Sequence, residues 1–508
     1  MQINVLEYFE KGALANCPHK IAVVDQGSSF SFSELERFAK NCADLICRRG
    51  TGINQPIAVF LPKSAQTIIA DLGILYSGNC YANLDVKSPP ERLRAMLENL
   101  GAGCIITSPA FAAALFAAGV SEGQLLLVET AMTAETTHDN ASLLARADQI
   151  IDTDPLCIIH TSGSTGIPKG VALSHRCTID FMDWVFQRLG VNGSEVIGSL
   201  SPFYFDIYTL ELYLCLAKGA TLVLIPEQCA AFPVKLLDFM VAQAVSFIFW
   251  VPTIMVNIAN QDLLAKWKLK SLRKVFFAGE VFPTKHLNYW RRHLPETMFV
   301  NLYGPIEISV DCTYFVVDRD LSDDEKLPIG FPCRNTDILI LNEQNQPAQG
   351  EEVGELCVRG TSLAMGYWNN PERTAQAFVQ NPLNSHYPEL IYRTGDLVYR
   401  NARDEIMFLG RKDFQIKHLG YRIELGEIEH AVLQMEGVRN ACVVYQQERK
   451  EITLFFESDQ ELSAAAIREQ LGAFVPKYML PTVFHRMEQL PRNPNGKIDR
   501  QELLSRSS

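Results

Sequence analysis

The stretch IIHTSGSTGIPKG, residues Ile158 to Gly170, gathers two serines, two threonines, three glycines and one lysine between apolar segments. A P-loop needs Gly-Lys followed by Ser or Thr, on a turn that opens a helix. Here Pro168 precedes Lys169 and Gly170 follows it, so that pattern fails. The composition still suits phosphate: glycines free backbone amides, hydroxyls donate, and the lysine supplies charge. Taken alone, the stretch is either a phosphate-handling loop or an ordinary Ser/Gly turn.

Its surroundings indicate how such a loop would be carried. PIAVFLP reads as a strand, SAQTIIADLGILYSG as a helix with a small-residue packing face, and ENLGAGCIITS as a return through a turn to a strand. The alternation recurs in ATLVLIPEQ, LLDFMVAQAVSFIFWVP and SLRKVFFAGE. This is the pattern of α/β layering. VSFIF and KVFFA are apolar on both faces, as strands covered by helices should be. Around residue 335 the texture changes. NTDILILNEQNQPAQGEEVGELCVRG carries two short strands about a polar turn, and IYRTGDLVYRNARDEIMFLG repeats that style. The expected fold is therefore α/β. A large N-terminal core of layered α/β subdomains spans 1–412, with a small β subdomain over about 335–412, and a small mobile α+β domain spans 413–508. In the latter, GEIEHAVLQMEG and AAAIREQLGAFV read as helices, ACVVYQ and EITLFFES as strands, and PRNPNGKIDRQELL as a basic tail. There are no internal repeats.

The chain has 508 residues, 47% of them apolar and 20% charged, with a net charge of -12. That balance argues against a nucleic-acid stripe or a basic membrane surface. The start, MQINVLEYFEKGALANCPHK, is an amphipathic helix rather than a signal peptide, and no apolar run is long enough to span a bilayer. The 13 cysteines are scattered and form no CxxC pair, which fits reduced thiols in a cytoplasmic protein and no zinc site.

Polar clusters follow several of the apolar segments. FFAGE places Gly279 and Glu280 directly after a strand, and NLYGPIE does so with Asn301, Leu302, Tyr303, Gly304 and Glu307. In open α/β sheets ligands collect at the carboxyl ends of strands. Tyr303 could stack on a purine and Glu307 hold a divalent cation, or both could belong to a plain turn. Asp396 in YRTGD suits ribose hydroxyls or an Asx-turn. Asp206, between Phe205 and Ile207, is either a helix cap or the counter-ion of a substrate ammonium. Lys497 in NPNGKID reads as surface unless other residues recruit it.

The order and spacing of TSGSTGIPKG, FDIYTLELY, NLYGPIE, GELCVRG with MGYW, YRTGDL, GRKDFQIKHLGYRIELGEIE and NPNGKIDR resemble the adenylate-forming superfamily. Within it the chain is most similar to the amino-acid adenylation domains of nonribosomal peptide synthesis and their free-standing relatives. The resemblance runs over nearly the whole chain. It implies a ligase that uses ATP and Mg2+ to convert a carboxylate to an adenylate with release of pyrophosphate, then passes the acyl group to a thiol. Such chemistry is charge management around an in-line displacement, without a protein nucleophile. On this basis Thr161, Ser162, Gly163, Ser164, Thr165, Gly166 and Lys169 wrap the pyrophosphate portion, with Thr161 counted among the catalytic residues. Glu307 binds Mg2+. Gly279, Glu280, Asn301, Leu302, Tyr303 and Gly304 bracket the nucleoside, and Asp396 and Arg411 hold ribose. Lys497 bridges the substrate carboxylate and α-phosphate, and Asp413 is the hinge of the mobile domain. Ile306 stands where the family usually has threonine, which removes one contact to the α-phosphate region, and His160 stands where tyrosine is commoner.

The family's side-chain pocket carries over to Asp206, Ile207, Leu210, Phe249, Phe276, Ala278, Leu302, Val310, Asp311 and Lys497. Asp206 is then the counter-ion of the α-amine, which fatty-acid and aryl-acid ligases generally lack. The string D-I-L-F-F-A-L-V-D-K resembles D-L-L-Y-L-A-L-V-C-K of free-standing prolyl ligases in pyrrole and anatoxin-type pathways. The expected substrate is L-proline, with D-alanine as the alternative on the pattern of D-alanyl carrier protein ligases, followed by glycine, alanine or another small amino acid. Asp311 is the awkward member, since a second buried carboxylate must be paired, protonated or wet. The chain ends soon after NPNGKIDR with no Ser-centred carrier segment, so a separate phosphopantetheinylated carrier protein is the expected thiol partner, in secondary-metabolite biosynthesis of antibiotic or toxin type. Coenzyme A is the alternative thiol.

Overall fold

The computed structural model describes residues 2–134, 140–163, 168–447, 449–492 and 498–506. Its frame is two large sheets. The first has nine strands, of which Ile21–Asp25, Thr221–Leu224, Val196–Ser199, Phe247–Trp250, Lys274–Phe277 and Met298–Tyr303 run parallel in that spatial order. Antiparallel strands close both edges: Ser28–Ser31 on one side, Thr313–Val316 and Phe331–Pro332 on the other. The second sheet has seven strands, with Pro56–Phe60, Cys80–Asn83, Ile105–Thr107 and Leu125–Leu127 parallel, and the antiparallel pair Pro155–Thr161 and Lys169–Ser174 toward one end. The opening motif is the connection within that pair, as the apolar flanks of the motif imply.

The central parallel strands are buried on both faces, every residue of Pro56–Phe60 and Phe247–Trp250 included, while Ile21–Asp25 near one edge is partly open. Helices supply the cover. Phe32–Arg48 starts at a capping box in which Ser31 and Glu34 satisfy each other's backbone amides. It packs on Ala65–Tyr76, which Ser64 caps. The two backbones approach so closely at Gly73 that an added Cβ would lie 2.6 Å from Cys42 Cβ. The amphipathic start of the chain is helical over Leu6–Leu14, with the Phe9–Leu14 portion wound as a π-helix.

Beyond residue 335 a five-stranded antiparallel sheet follows, built from Thr336–Leu341, Gly354–Gly360, Phe378–Gln380, Leu390–Arg400 and Ile406–Arg411. The remainder is a small α+β unit with its own core, including Ile428, Val432, Val443, Leu454 and Leu471. It comprises a two-stranded hairpin (Gln415–His418 and Tyr421–Glu424), the helix Leu425–Leu433 and a three-stranded sheet of Val438–Gln446, Glu451–Ser458 and Val483–Met487. The fold is thus a large α/β domain followed by a smaller α+β domain. Its hairpin, its third strand and the helix Arg500–Arg506, within what reads as a basic tail, lie outside the sequence reading.

Candidate active site

Four neighbouring parallel strands of the nine-stranded sheet deliver their carboxyl ends to one cleft. Val196–Ser199 leads into the loop ending at Asp206, Phe247–Trp250 carries Phe249, Lys274–Phe277 runs into Ala278–Glu280, and Met298–Tyr303 carries Asn301, Leu302 and Tyr303. Ile207, Leu210, Phe249, Phe276, Ala278, Leu302 and Val310 are all buried and belong to one apolar cluster. Phe249 and Phe276 are register partners whose rings meet edge to face at 6.3 Å. Ser309 and Val310 hold positive φ of 54° and 61°, strained for a β-branched valine. Gly304 makes this turn possible, since a Cβ there would sit 2.5 Å from Asp311 Cα.

Two carboxyl groups face this apolar floor. Asp206 occupies the N-cap position of Ile207–Lys218 without a capping bond further into the helix, its carboxylate engaged only by the adjoining amides of Asp206 and Ile207. Burial pushes it up to about 6. Asp311 is 2% exposed, and its Oδ2 has no partner among the described residues. Burial raises it well above the carboxylate range, and the charge of Asp206 adds to the effect. Asp206 therefore ionises first. The loop bearing it is braced from beneath: Lys63 Nζ donates to the carbonyls of Ser199 at 3.1 Å and Leu200 at 2.9 Å, and Asn83 Nδ2 donates to Phe203 at 3.3 Å.

Glu307 is fully buried and held from three sides. Tyr367 Oη donates to Oε1 at 2.8 Å, Lys169 Nζ lies 3.5 Å from the same oxygen, and Arg422 Nη1 meets Oε2 at 2.7 Å. Burial alone would raise its pKa, but Arg422 and Lys169 outweigh it and hold the carboxyl below the ordinary range. Burial brings Lys169 down to about 8, and Arg422 beside it pushes the same way. Asp396 accepts from Tyr303 Oη and from Arg411 Nη1 at 2.6 Å. Arg411 in turn forks onto Asp413 at 2.6 and 2.7 Å. Asn301 donates to Pro328 O at 2.7 Å. Gly279 takes φ +91°, and the Glu280 carboxylate is engaged by the amides of Thr253 at 3.0 Å and Gly420 at 2.8 Å.

The hairpin 415–424 thus docks into the cleft. Ser162 Oγ donates to Arg422 O at 2.7 Å and accepts from Glu424 N at 3.2 Å, and Gly163 N donates to Glu427 Oε2 at 3.1 Å. Lys417 keeps an exposed side chain on the hairpin; neighbouring protein desolvates it enough to hold its pKa down, against the charges of Asp396, Asp311 and Asp206, which favour its charged form. Arg422, Lys417, Glu427 and Tyr367 lie outside the residues that sequence reasoning singled out, as does Arg92, the partner of Glu427. Thr161 ends the strand Pro155–Thr161, its hydroxyl buried without a partner among the described residues. His160 beside it is half-buried, with both ring nitrogens shielded and without a partner among the described residues, and it is neutral, desolvation holding it to about 3. Ser164, Thr165, Gly166 and Lys497 lie outside the described residues.

Comparison with known proteins decides what this cleft belongs to. The AMP-binding enzyme family matches residues 9–368, and the AMP-binding enzyme C-terminal domain matches residues 427–497. The chain belongs to the AMP-binding enzyme family. It is an AMP-forming adenylating ligase. Among curated relatives it is 29% identical over 511 residues to zwittermicin A synthase ZmaJ of Bacillus cereus, covering 99% of this chain and 95% of that protein. It is 31% identical over 503 residues to tyrocidine synthase 1 of Brevibacillus parabrevis, covering 98% of this chain but only 45% of that protein. Among solved structures, the Vibrio cholerae adenylation domain AlmE in complex with glycyl-adenosine-5'-phosphate superposes with a TM-score of 0.86. It is 23% identical and covers 100% of this chain and 98% of that one, a likeness of fold. Among the described residues no helix is long and apolar enough to cross a membrane, and no group of three or more His, Cys, Asp or Glu side chains forms a metal cage.

Proposed function

We propose that this ligase adenylates a small α-amino acid with MgATP and then passes it to the phosphopantetheine thiol of a separate carrier protein, with L-proline as the leading substrate. The observation that carries this reading is Asp206, a carboxylate with no capping bond into the first turn of its helix, set beside the buried apolar cluster of Ile207, Leu210, Leu302 and Val310. An acid without an amino group has no use for it. Ile207, Leu210, Leu302 and Val310 line the pocket, and Phe249 and Phe276 take up volume, which suits a compact side chain closed onto its own amine.

Mg2+ usually binds through one or two carboxylates plus substrate phosphates rather than in an all-protein cage. A lone buried carboxylate at the end of a phosphate loop fits that habit. Glu307 would hold the ion, which when bound neutralises charge on the phosphates. Lys169 adds a fixed cation 3.5 Å from the same carboxylate. Tyr303 and Asp396 present a phenol and a carboxylate to the nucleoside side of the cleft, and Lys497 is the residue we assign to the reacting carboxylate and α-phosphate. Arg422 occupies Glu307 in the docked arrangement, so the hairpin and a metal on Glu307 exclude one another. The arrangement described here therefore suits the thiol-transfer half of the reaction, and adenylation requires the hairpin to withdraw about Asp413.

A second reading is favoured by Asp311, whose unpartnered oxygen could recognise a hydroxyl or amino group on a different small amino acid. ATP–pyrophosphate exchange across L-proline, D-alanine, glycine, L-alanine, L-serine, small diamino acids and pipecolate separates the two. Strong exchange elsewhere with none on L-proline refutes the prolyl assignment. Acylation of carrier protein with coenzyme A as competitor then identifies the thiol.

A further inference from the structure

Asp71 is the one charged side chain in the helix Ala65–Tyr76, and it is fully buried. It has no ion-pair partner among the described residues, and burial pushes it up to about 7. A buried carboxylate without a cation is costly unless hydrogen bonds hold it. Here Oδ2 accepts from Tyr208 Oη at 2.7 Å and from Asn83 Nδ2 at 3.0 Å. Asn83 Nδ2 also donates to Phe203 O at 3.3 Å. The two arms reach the loop on either side of Asp206, three residues before it and two after. Between those points the chain closes on itself. The rings of Phe203 and Tyr208 stack at 3.9 Å with 19° between their planes, and the amides of Phe205, Tyr208 and Thr209 bond back to the carbonyls of Pro202, Phe205 and Asp206. A plain tie between the two large sheets would account for either arm alone. Two arms that converge on one acceptor from both feet of the arch bearing Asp206 make a positioning device.

We infer that Asp71, through Asn83 and Tyr208, brackets the arch 203–208 and so fixes where Asp206 presents its carboxylate to the substrate ammonium. Asp206 makes no capping bond further into its helix, and its own bonds reach only the adjoining amides. The placement of its carboxylate therefore falls to the arch. A displacement of the order of 1 Å is enough to spoil a site built for one geometry, so a loose arch would weaken the ion pair without removing either charge. Asp71, Asn83 and Tyr208 are positioning residues that act through Asp206. All of them lie in the large domain, so the bracket serves both half-reactions. The inference rests on the reading of Asp206 as the counter-ion of the amine, and adds what holds that counter-ion in place.

The KM values for the amino acid and for ATP are measured by ATP–pyrophosphate exchange in the full-length protein, with L-proline, D-alanine or glycine, whichever the parent exchanges fastest. Asp71→Leu, which keeps the volume but offers no acceptor, should raise the amino-acid KM by about tenfold. Tyr208→Phe, which cuts one arm and keeps the ring stack, should raise it by about threefold. The KM for ATP should stay within about twofold in both. Asp71→Asn retains an acceptor oxygen and should recover most of the affinity. Added to Asp206→Asn, Asp71→Leu should cost less than a further twofold or so, because the residue through which it acts is gone. Hydrogen exchange reads the bracket without substrate: segment 200–209 should exchange faster in Asp71→Leu while Phe247–Trp250 keeps its protection. Thermal unfolding checks each variant, and if Asp71→Leu does not fold, Tyr208→Phe decides on the same comparisons. An unchanged amino-acid KM, an equal rise in the KM for ATP, effects of Asp71→Leu and Asp206→Asn that multiply, or unchanged exchange in 200–209 overturns the inference. If Asp206→Asn alone leaves the amino-acid KM unchanged, the counter-ion reading falls and takes the bracket's role with it; if Asp206→Asn raises it and the bracket variants do not, only the bracket falls.

Discussion

The sharpest consequence of the pocket concerns its two carboxyl groups, which should respond differently to the same isosteric change. Asp206 is the first to ionise, at about 6, and Asp311 keeps its proton well beyond the usual range because it is buried beside that charge. At neutral pH the pocket then holds one negative charge, matched to one ammonium. Asp206→Asn removes the partner of a largely enclosed cation, and breaking a buried pair costs about 3–5 kcal/mol. Asp206 is only partly buried, so the lower end applies, a fall in kcat/KM of about 100-fold. Asp311→Asn replaces a neutral group by a neutral group and should cost less than about tenfold with a substrate whose side chain is apolar. The pH dependence adds an independent check. Amino-acid affinity should rise with pH through about 6, because the ammonium requires the ionised form of Asp206. That midpoint should stay in place in Asp311→Asn. Exchange kinetics between pH 5 and 8 supply both measurements. A loss in Asp311→Asn as large as in Asp206→Asn, or a midpoint that drops by about one unit, would show that Asp311 is charged and reads a second cation on the substrate.

Four other perturbations follow from the same geometry. Arg422→Gln takes the guanidinium from Glu307 in the docked arrangement, so the ratio of carrier acylation to ATP–pyrophosphate exchange should fall by about tenfold or more; an unchanged ratio refutes the role. Lys169 is held near 8 when folded and titrates near its ordinary value when unfolded, so the folded state binds fewer protons between these values and stability rises with pH across them. Urea unfolding should therefore show the parent gaining on Lys169→Gln from pH 7 to pH 9.5, by up to about 2 kcal/mol; a gain in the opposite direction refutes the burial of the charge. Lys497→Ala should lose most exchange while retaining the parent's far-ultraviolet dichroism, and near-normal exchange would remove Lys497 from the mechanism. Gly73→Ala forces a methyl against Cys42 at 2.6 Å and should destabilise by about 1–3 kcal/mol in thermal unfolding; an unchanged Tm would mean that the helix pair can separate freely.

The two-sheet core was legible because its signal is local. Strands apolar on both faces, such as Phe247–Trp250, leave few options but burial between helix layers, and the polar residues that follow them then fall at the carboxyl ends of strands. Asp206 stood out for the same reason, as a charge within an apolar run. The partners that the small domain brings into the site were not legible, because each finds its counterpart far along the chain. Arg422 meets Glu307 across 115 positions, and Glu427 meets Gly163 across 264.

The hairpin that carries them hides for a local reason as well. Two-residue hairpin turns of type I′ need positive φ at both central residues, and the usual sequence signal is Asn-Gly or Asp-Gly. Here the turn is Leu419-Gly420, with φ of 53° and 84°. Leucine in the left-handed region is disfavoured, so the strand–turn–strand pattern carries no flag. The register that follows is equally unusual. Lys417 lies directly opposite Arg422 across the hairpin, and like charges in that position destabilise a sheet. An isolated hairpin of this sequence would therefore be a poor one. Docked, the same two cations meet carboxyl groups of the large domain, Arg422 on Glu307 and Lys417 among Asp206, Asp311 and Asp396. The features that obscure the hairpin in sequence, a leucine in the turn and two facing cations, are compensated only in the cleft. The strand pair is shaped for its docked position, which is why neither its form nor its role can be read from its own residues.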